Sequence, residues 1–140
     1  MNRSKPQTLL RTWLILGGLI AALSACASGG AAGGTPRNII LPPEGGKIDA
    51  RPGDILVITL PANPSTGYTW EVDPLDAGVL AQEGEPVTKA ESDLIGAPSA
   101  MTFRFKAAGP GQVILSMSYR RPWEEGVAPV KTYQAEISVK

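Results

Sequence analysis

Residues 38–140 read as an all-β domain, an immunoglobulin-like β-sandwich of about seven to eight strands, on three grounds. Several runs alternate apolar and polar residues with a period of two, as half-buried strands must. Turn signals rich in Gly and Pro recur between those runs. No apolar stripe at helical spacing is sustained beyond residue 25. The Cys-Trp-Cys arrangement of antibody domains is missing, so only the general architecture follows. There is no internal repeat.

Asn38–Leu41 and Lys47–Ala50 are short candidate strands, separated by Pro42-Pro43-Glu44-Gly45-Gly46. After Pro52-Gly53, Asp54–Leu60 is almost continuously apolar, as in a strand buried on both faces or central in a sheet. Asn63-Pro64 marks the next turn, and Thr69–Val72, Val79–Gln82 and Pro86–Lys89 are further short candidates. Met101, Phe103 and Phe105 then share one face, against Thr102, Arg104 and Lys106. Gly109-Pro110-Gly111 turns the chain into a strand with Val113, Leu115, Met117 and Tyr119 on one side. Gln112, Ile114, Ser116 and Ser118 interleave with them. In the last strand Tyr133, Ala135, Ile137 and Val139 oppose Thr132, Gln134, Glu136 and Ser138.

Composition narrows the chemistry. The 140 residues are 43% hydrophobic and 19% charged, with no histidine and a single cysteine. Without imidazole there is no Ser-His-Asp triad, no Cys-His dyad and no His-containing zinc site. One cysteine makes neither an internal disulfide nor a thiolate cluster. The sequence therefore calls for no metal, no cofactor and no catalytic residue. Acidic pairs such as Glu124-Glu125 or Asp73 with Asp76 are the remaining acid–base candidates, and such surface acids are usually solvated charge.

Residues 1–25 read as an export signal. Arg3, Lys5 and Arg11 precede a run of 14 apolar or small residues, Thr12–Ala25. A bilayer span needs about 20 residues, so the run suits a signal rather than a membrane helix. Leu23-Ser24-Ala25-Cys26 resembles the lipobox of bacterial lipoproteins, which implies cleavage before Cys26 and acylation of that residue. In Gram-negative lipoproteins an Asp after the cysteine commonly signals inner-membrane retention, so the same resemblance, with Ala27 there, implies the outer membrane of the cell envelope. Residues 26–37 then form the lipidated Cys26 and a Gly/Ala/Ser linker that behaves as a soft coil. From Cys26 onward, 10 basic residues stand against 13 acidic ones, a net charge of −3 that offers no nucleic-acid footprint.

Three loops carry the functional reading. In Asn63-Pro64-Ser65-Thr66-Gly67-Tyr68, Asn63 suits an Asx turn, Pro64 fixes its own φ and Gly67 tolerates a positive φ. That describes a stiff loop with two hydroxyls at its tip, or a plain β-turn. Leu94-Ile95-Gly96-Ala97-Pro98-Ser99 is a weaker loop signal. In Arg121-Pro122-Trp123 the tryptophan is either a core lid or an exposed anchor, since Trp and Arg are enriched at interface hot spots. Trp70 follows its loop into a strand and belongs to the core; Tyr68 is open to either assignment.

Asn63–Tyr68, the glycine-containing middle loop and Arg121-Pro122-Trp123, in this order on a β-rich domain, resemble the chagasin-type inhibitors of cysteine peptidases (peptidase inhibitor family I42). Ser99 departs from the pattern, standing where the family has a second glycine. The resemblance implies a monomeric sandwich whose three loops form a wedge. Asn63–Gly67 would enter the active-site cleft of a papain-like cysteine peptidase, with Gly96–Ser99 and Arg121–Trp123 bracing it on either side. The implied activity is reversible, tight-binding inhibition without cleavage. Ser65 and Thr66 would hydrogen-bond near the thiolate–imidazolium pair, and Arg121 would reach a carboxylate or carbonyl of the partner. Two other readings compete: a glycan-binding envelope lipoprotein with Trp123, Tyr119 and Arg121 as a stacking platform, and a purely structural surface domain.

Overall fold

The computed structural model describes residues 34–90, 92 and 97–140. The signal at 1–25, Cys26, the linker up to residue 33 and Gly96 lie outside the described residues. Nine strands follow in order: β1 (Asn38–Ile40), β2 (Gly46–Ala50), β3 (Ile55–Ala62), β4 (Thr69–Val72), β5 (Leu80–Gln82), β6 (Val87–Ala90), β7 (Ser99–Ala107), β8 (Gly111–Arg120) and β9 (Lys131–Val139). One sheet runs β1-β3-β7, with β5 and β6 both on the outer edge of β7; the other runs β2-β9-β8-β4. β1 pairs with β3, and β2 with β9, in parallel; the remaining pairs are antiparallel.

The nine strands among the described residues match the nine candidate runs, and the count passes seven to eight because β5 and β6 form one sheet edge in two pieces. Gln82 of β5 lies opposite Phe105 and Val87 of β6 opposite Thr102, with an interruption between them. Gly84 at φ 74° and Pro86, which has no N–H for a ladder, break the run. The apolar run of β3 reflects a central place in its sheet rather than burial on both faces. Leu56, Ile58, Leu60 and Ala62 are buried, Ile55 and Val57 half-buried and Thr59 exposed.

The period-two faces pack as the hydrophobic effect demands. Met101, Phe103 and Phe105 meet Leu115, Met117, Tyr119, Tyr133, Ala135 and Ile137 from the facing sheet, in one core with Leu56, Ile58 and Leu80. Trp70 is buried as expected, and its Nε1 donates across the sandwich to the Pro61 carbonyl at 3.0 Å. All nine strands and the core lie within residues 34–140, which form one unit.

The pole where the chain enters is closed by a saturated charge. Asp54, only 3% exposed, accepts from the Arg37 backbone N–H at 3.1 Å, the Arg51 N–H at 2.9 Å and the Arg37 guanidinium. The Arg37 hydrogen bond holds the Asp54 carboxyl well below the usual carboxylate range.

Candidate functional site: a three-loop pole

Register brings three connections to one end of the sandwich. Ala62 ends β3 opposite Ser99, the first residue of β7, so Asn63 and Pro98 leave neighbouring strands side by side. In the facing sheet Thr69 lies opposite Arg120, and Lys131 opposite Tyr119, so Tyr68, Arg121 and Val130 emerge together. Asn63–Tyr68 crosses from one sheet to the other over this end.

That crossing loop is a single 3-10 turn, Pro64–Thr66. Thr66 N–H donates to the Asn63 carbonyl at 3.1 Å and Gly67 N–H to the Pro64 carbonyl at 3.0 Å. Proline suits the first position because no N–H is needed there and its φ is preset. Gly67 then closes the turn at φ 78°, ψ −1°, a conformation that strains any residue with a Cβ. Asn63 makes no side-chain bond to the turn's backbone, as an Asx turn would; its side-chain oxygen accepts from Ser65 Oγ at 2.5 Å. Thr66 Oγ1 donates to the Asn63 carbonyl at 2.6 Å. Both hydroxyl protons are thus committed inside the loop, and the tip presents oxygen lone pairs.

The loop is propped from below and from the side. Asn63 N–H donates to Tyr119 Oη at 2.8 Å. The buried Tyr119 ring lies between Tyr68, stacked at 5.5 Å between centroids, and Trp70, tilted at 5.1 Å. Tyr68, which the sequence leaves open, is half-buried in this stack. Arg121 Nε donates to the Thr66 carbonyl at 3.1 Å, its guanidinium lies 4.5 Å from the Tyr68 centroid, and Nη1 donates to Glu124 at 2.9 Å. Glu124 raises the guanidinium pKa, so this brace stays charged. Within its own chain Arg121 thus reaches one carbonyl, that of Thr66, and one carboxylate, that of Glu124.

Trp123 is exposed, at 66%, and is neither core nor lid. Its ring edge faces Gly67 so closely that a Cβ there would stand 2.3 Å from Trp123 Cη2. Pro122 is exposed and presents it. Ser65 and Pro64 are exposed at the tip beside it, with Thr66. On the other flank Ala97 is half-buried and Pro98 exposed. Ser99 corrects the loop assignment: it is buried and paired with both Ala62 and Ala90, as the start of β7. An open groove of 370 Å³ runs between Pro61–Asn63, Pro98 and Lys131, floored by Tyr68 and Tyr119.

These placements also bear on the competing readings. Tyr119 is 6% exposed beneath Tyr68 and offers no face for a sugar to stack on. Glu124 is tied to Arg121, and Asp76 caps its own turn by accepting the Gly78 N–H at 2.9 Å. The Tyr119 hydroxyl under Asn63 and the Glu124 tie lie beyond what the sequence alone assigns to the site. The signal for the first was a tyrosine, rather than a phenylalanine, at the last inward position of its strand.

The chain is 31% identical over 88 residues to Amoebiasin-2 of Entamoeba histolytica, spanning 62% of this chain and 72% of that protein. It is 27% identical over 86 residues to Chagasin of Trypanosoma cruzi, spanning 56% and 76% respectively. The crystal structure of the cysteine protease inhibitor EhICP2 from Entamoeba histolytica superposes with a TM-score of 0.67 at 25% identity, over 77% of this chain and 100% of that one. The Chagasin family peptidase inhibitor I42 model matches residues 49–137, a span that holds all three loops, and the chain belongs to that family.

Proposed function

We propose that this chain is a reversible, tight-binding inhibitor of papain-like cysteine peptidases, docking its three-loop pole in the active-site cleft and performing no chemistry itself. The observation that carries this reading is the convergence of Asn63–Tyr68, Ala97-Pro98 and Arg121–Trp123 at one pole, with the first loop braced by the third. A loop already held in its bound shape loses little conformational freedom on docking, the main source of affinity at fixed contact area. A 3-10 turn closed by Pro64 and Gly67 also lacks the extended backbone that would align a peptide bond for attack. With the Ser65 and Thr66 protons committed internally, the tip suits a donor such as an imidazolium better than a thiolate. Trp123 is the exposed anchor, and an interface of about 800 Å² per partner is within reach of three loops.

The sequence before residue 38 supports export and lipid anchoring through Cys26. Arg37 and Asn38 enter the sandwich beside Asp54 and Ile55, at the pole opposite the loops. Cys26→Ser is expected to abolish lipid labelling and signal processing.

The direct test titrates the chain from residue 27 onward against papain and related enzymes, following hydrolysis of a small peptide substrate. Stoichiometric, reversible inhibition is expected. No inhibition at micromolar concentration across several such enzymes would dismiss the reading.

A further inference from the structure

Three large apolar side chains are exposed on the single β8–β9 connection: Trp123 at 66%, Val127 at 55% and Val130 at 56%. Scattered surface apolar residues need no explanation, whereas a cluster beside shaped hollows does. Val127 and Val130 wall a small crevice over Tyr68 and Arg121. Val130 also rims the 370 Å³ groove over Tyr119, on whose far side stand Pro61 and Pro98. Val130 is therefore a ridge between two hollows that share Tyr68 as floor.

We propose that the peptidase-binding surface continues past Trp123 along this flank, with an apolar side chain from the rim of the peptidase cleft seated in the groove against Val130, and Val127 packed beside it. The proposal rests on the inhibitory reading above. Continuity identifies the occupant: Asn63, Thr66 and Tyr68 belong to the inhibitory loop and also line the groove, Tyr68 as part of its floor. A partner that encloses that loop must cover the groove as well. Left empty under the partner, the apolar floor would forfeit its dispersion contacts. Lys131 makes the rim positive, which favours an acidic neighbour beside the inserted side chain. Because the contact lies outside the tip, it varies with the rim of each enzyme and sets which papain-like peptidases are held tightly.

The test uses the chain from residue 27 onward as wild type, as V127D/V130D and as I40D. Ile40 is 73% exposed on β1, away from the loop pole, and controls for adding charge to an apolar surface. The hairpin variant is expected to raise Ki for papain about 10- to 100-fold, mainly through faster dissociation, with Tm unchanged. I40D is expected to leave Ki where it is. V127S/V130S, which adds no charge, is expected to move Ki in the same direction by a smaller factor. If wild type inhibits and both hairpin variants match it, the extension is wrong while the inhibitory reading stands. If wild type inhibits nothing, both fall. Wild-type self-association that V127D/V130D abolishes without altering Ki would give the patch to a second copy of this chain and overturn the proposal.

Discussion

The two poles of the sandwich hold the same kinds of side chain in opposite states. Where the chain enters, Asp54 is desolvated, and the donors around it are all supplied by Arg37 and Arg51. At the loop pole the ion pair of Arg121 and Glu124 is partly open to water, and the largest side chain, Trp123, stands outside the core. A buried carboxylate whose acceptor sites are filled has little left to offer a partner; its work is to close the sheet end. An exposed Trp over a glycine, with a braced turn beside it, gains little for the fold and leaves its contact area for another molecule. One pole holds the sandwich, and the other is held by it.

Substitutions should separate the poles by readout. Trp123→Ala should have the largest effect, weakening inhibition of papain by about 2–4 kcal/mol, or 30- to 1000-fold, while thermal unfolding barely changes. An unchanged inhibition constant would reduce Trp123 to packing on Gly67. Asp54→Ala should do the reverse, lowering stability by about 2–3 kcal/mol because it orphans the Arg37 and Arg51 N–H groups, with Ki unaltered while the chain stays folded.

The pH dependence of that gap follows from its sign. The Asp54 carboxyl is lowered in the fold, so its contribution is complete above the unfolded value of about 4 and is lost as pH falls towards the folded one. Chemical denaturation of wild type and Asp54→Ala should therefore show a constant gap from neutrality down to about pH 5 that narrows in stronger acid. A gap that widened on acidification would contradict the arrangement.

Two tyrosines on adjacent strands sharpen the contrast at smaller scale. Tyr119 Oη accepts the Asn63 N–H, so Tyr119→Phe should cost about 1 kcal/mol of stability and loosen the inhibitory loop, raising Ki several-fold. Tyr133 Oη is buried with no hydrogen-bond partner among the described residues, and burial, with Glu44 nearby, pushes its pKa up to about 12. Tyr133→Phe removes only that unsatisfied hydroxyl and should leave Ki unchanged and stability equal or slightly higher, as read by calorimetry. Loss of stability on that change would mean the hydroxyl has a partner after all.

Much of this is legible in the sequence alone. Period-two alternation fixes which face of β7, β8 and β9 is buried, because a one-residue slip would turn every side chain over. The rigidity of Asn63–Gly67 follows from where Pro and Gly fall in it. What could not be read is long-range pairing: that Ser99 belongs to a strand depends on Ala62 and Ala90 lying opposite it. The destination of Arg121 was hidden for the same reason, since the Thr66 carbonyl it meets is distant in sequence and near only once both sheets have formed. Val127 and Val130 carry no local signal, as their meaning lies in the hollows they border.

Hydrogen–deuterium exchange on the inhibitor, free and saturated with papain, tests the division between the poles most directly. Protection is expected in backbone amides of residues 63–68 and 121–130, with those around Arg37 and Asp54 unchanged. Protection centred on the Arg37 pole, or spread evenly over both, would contradict the account.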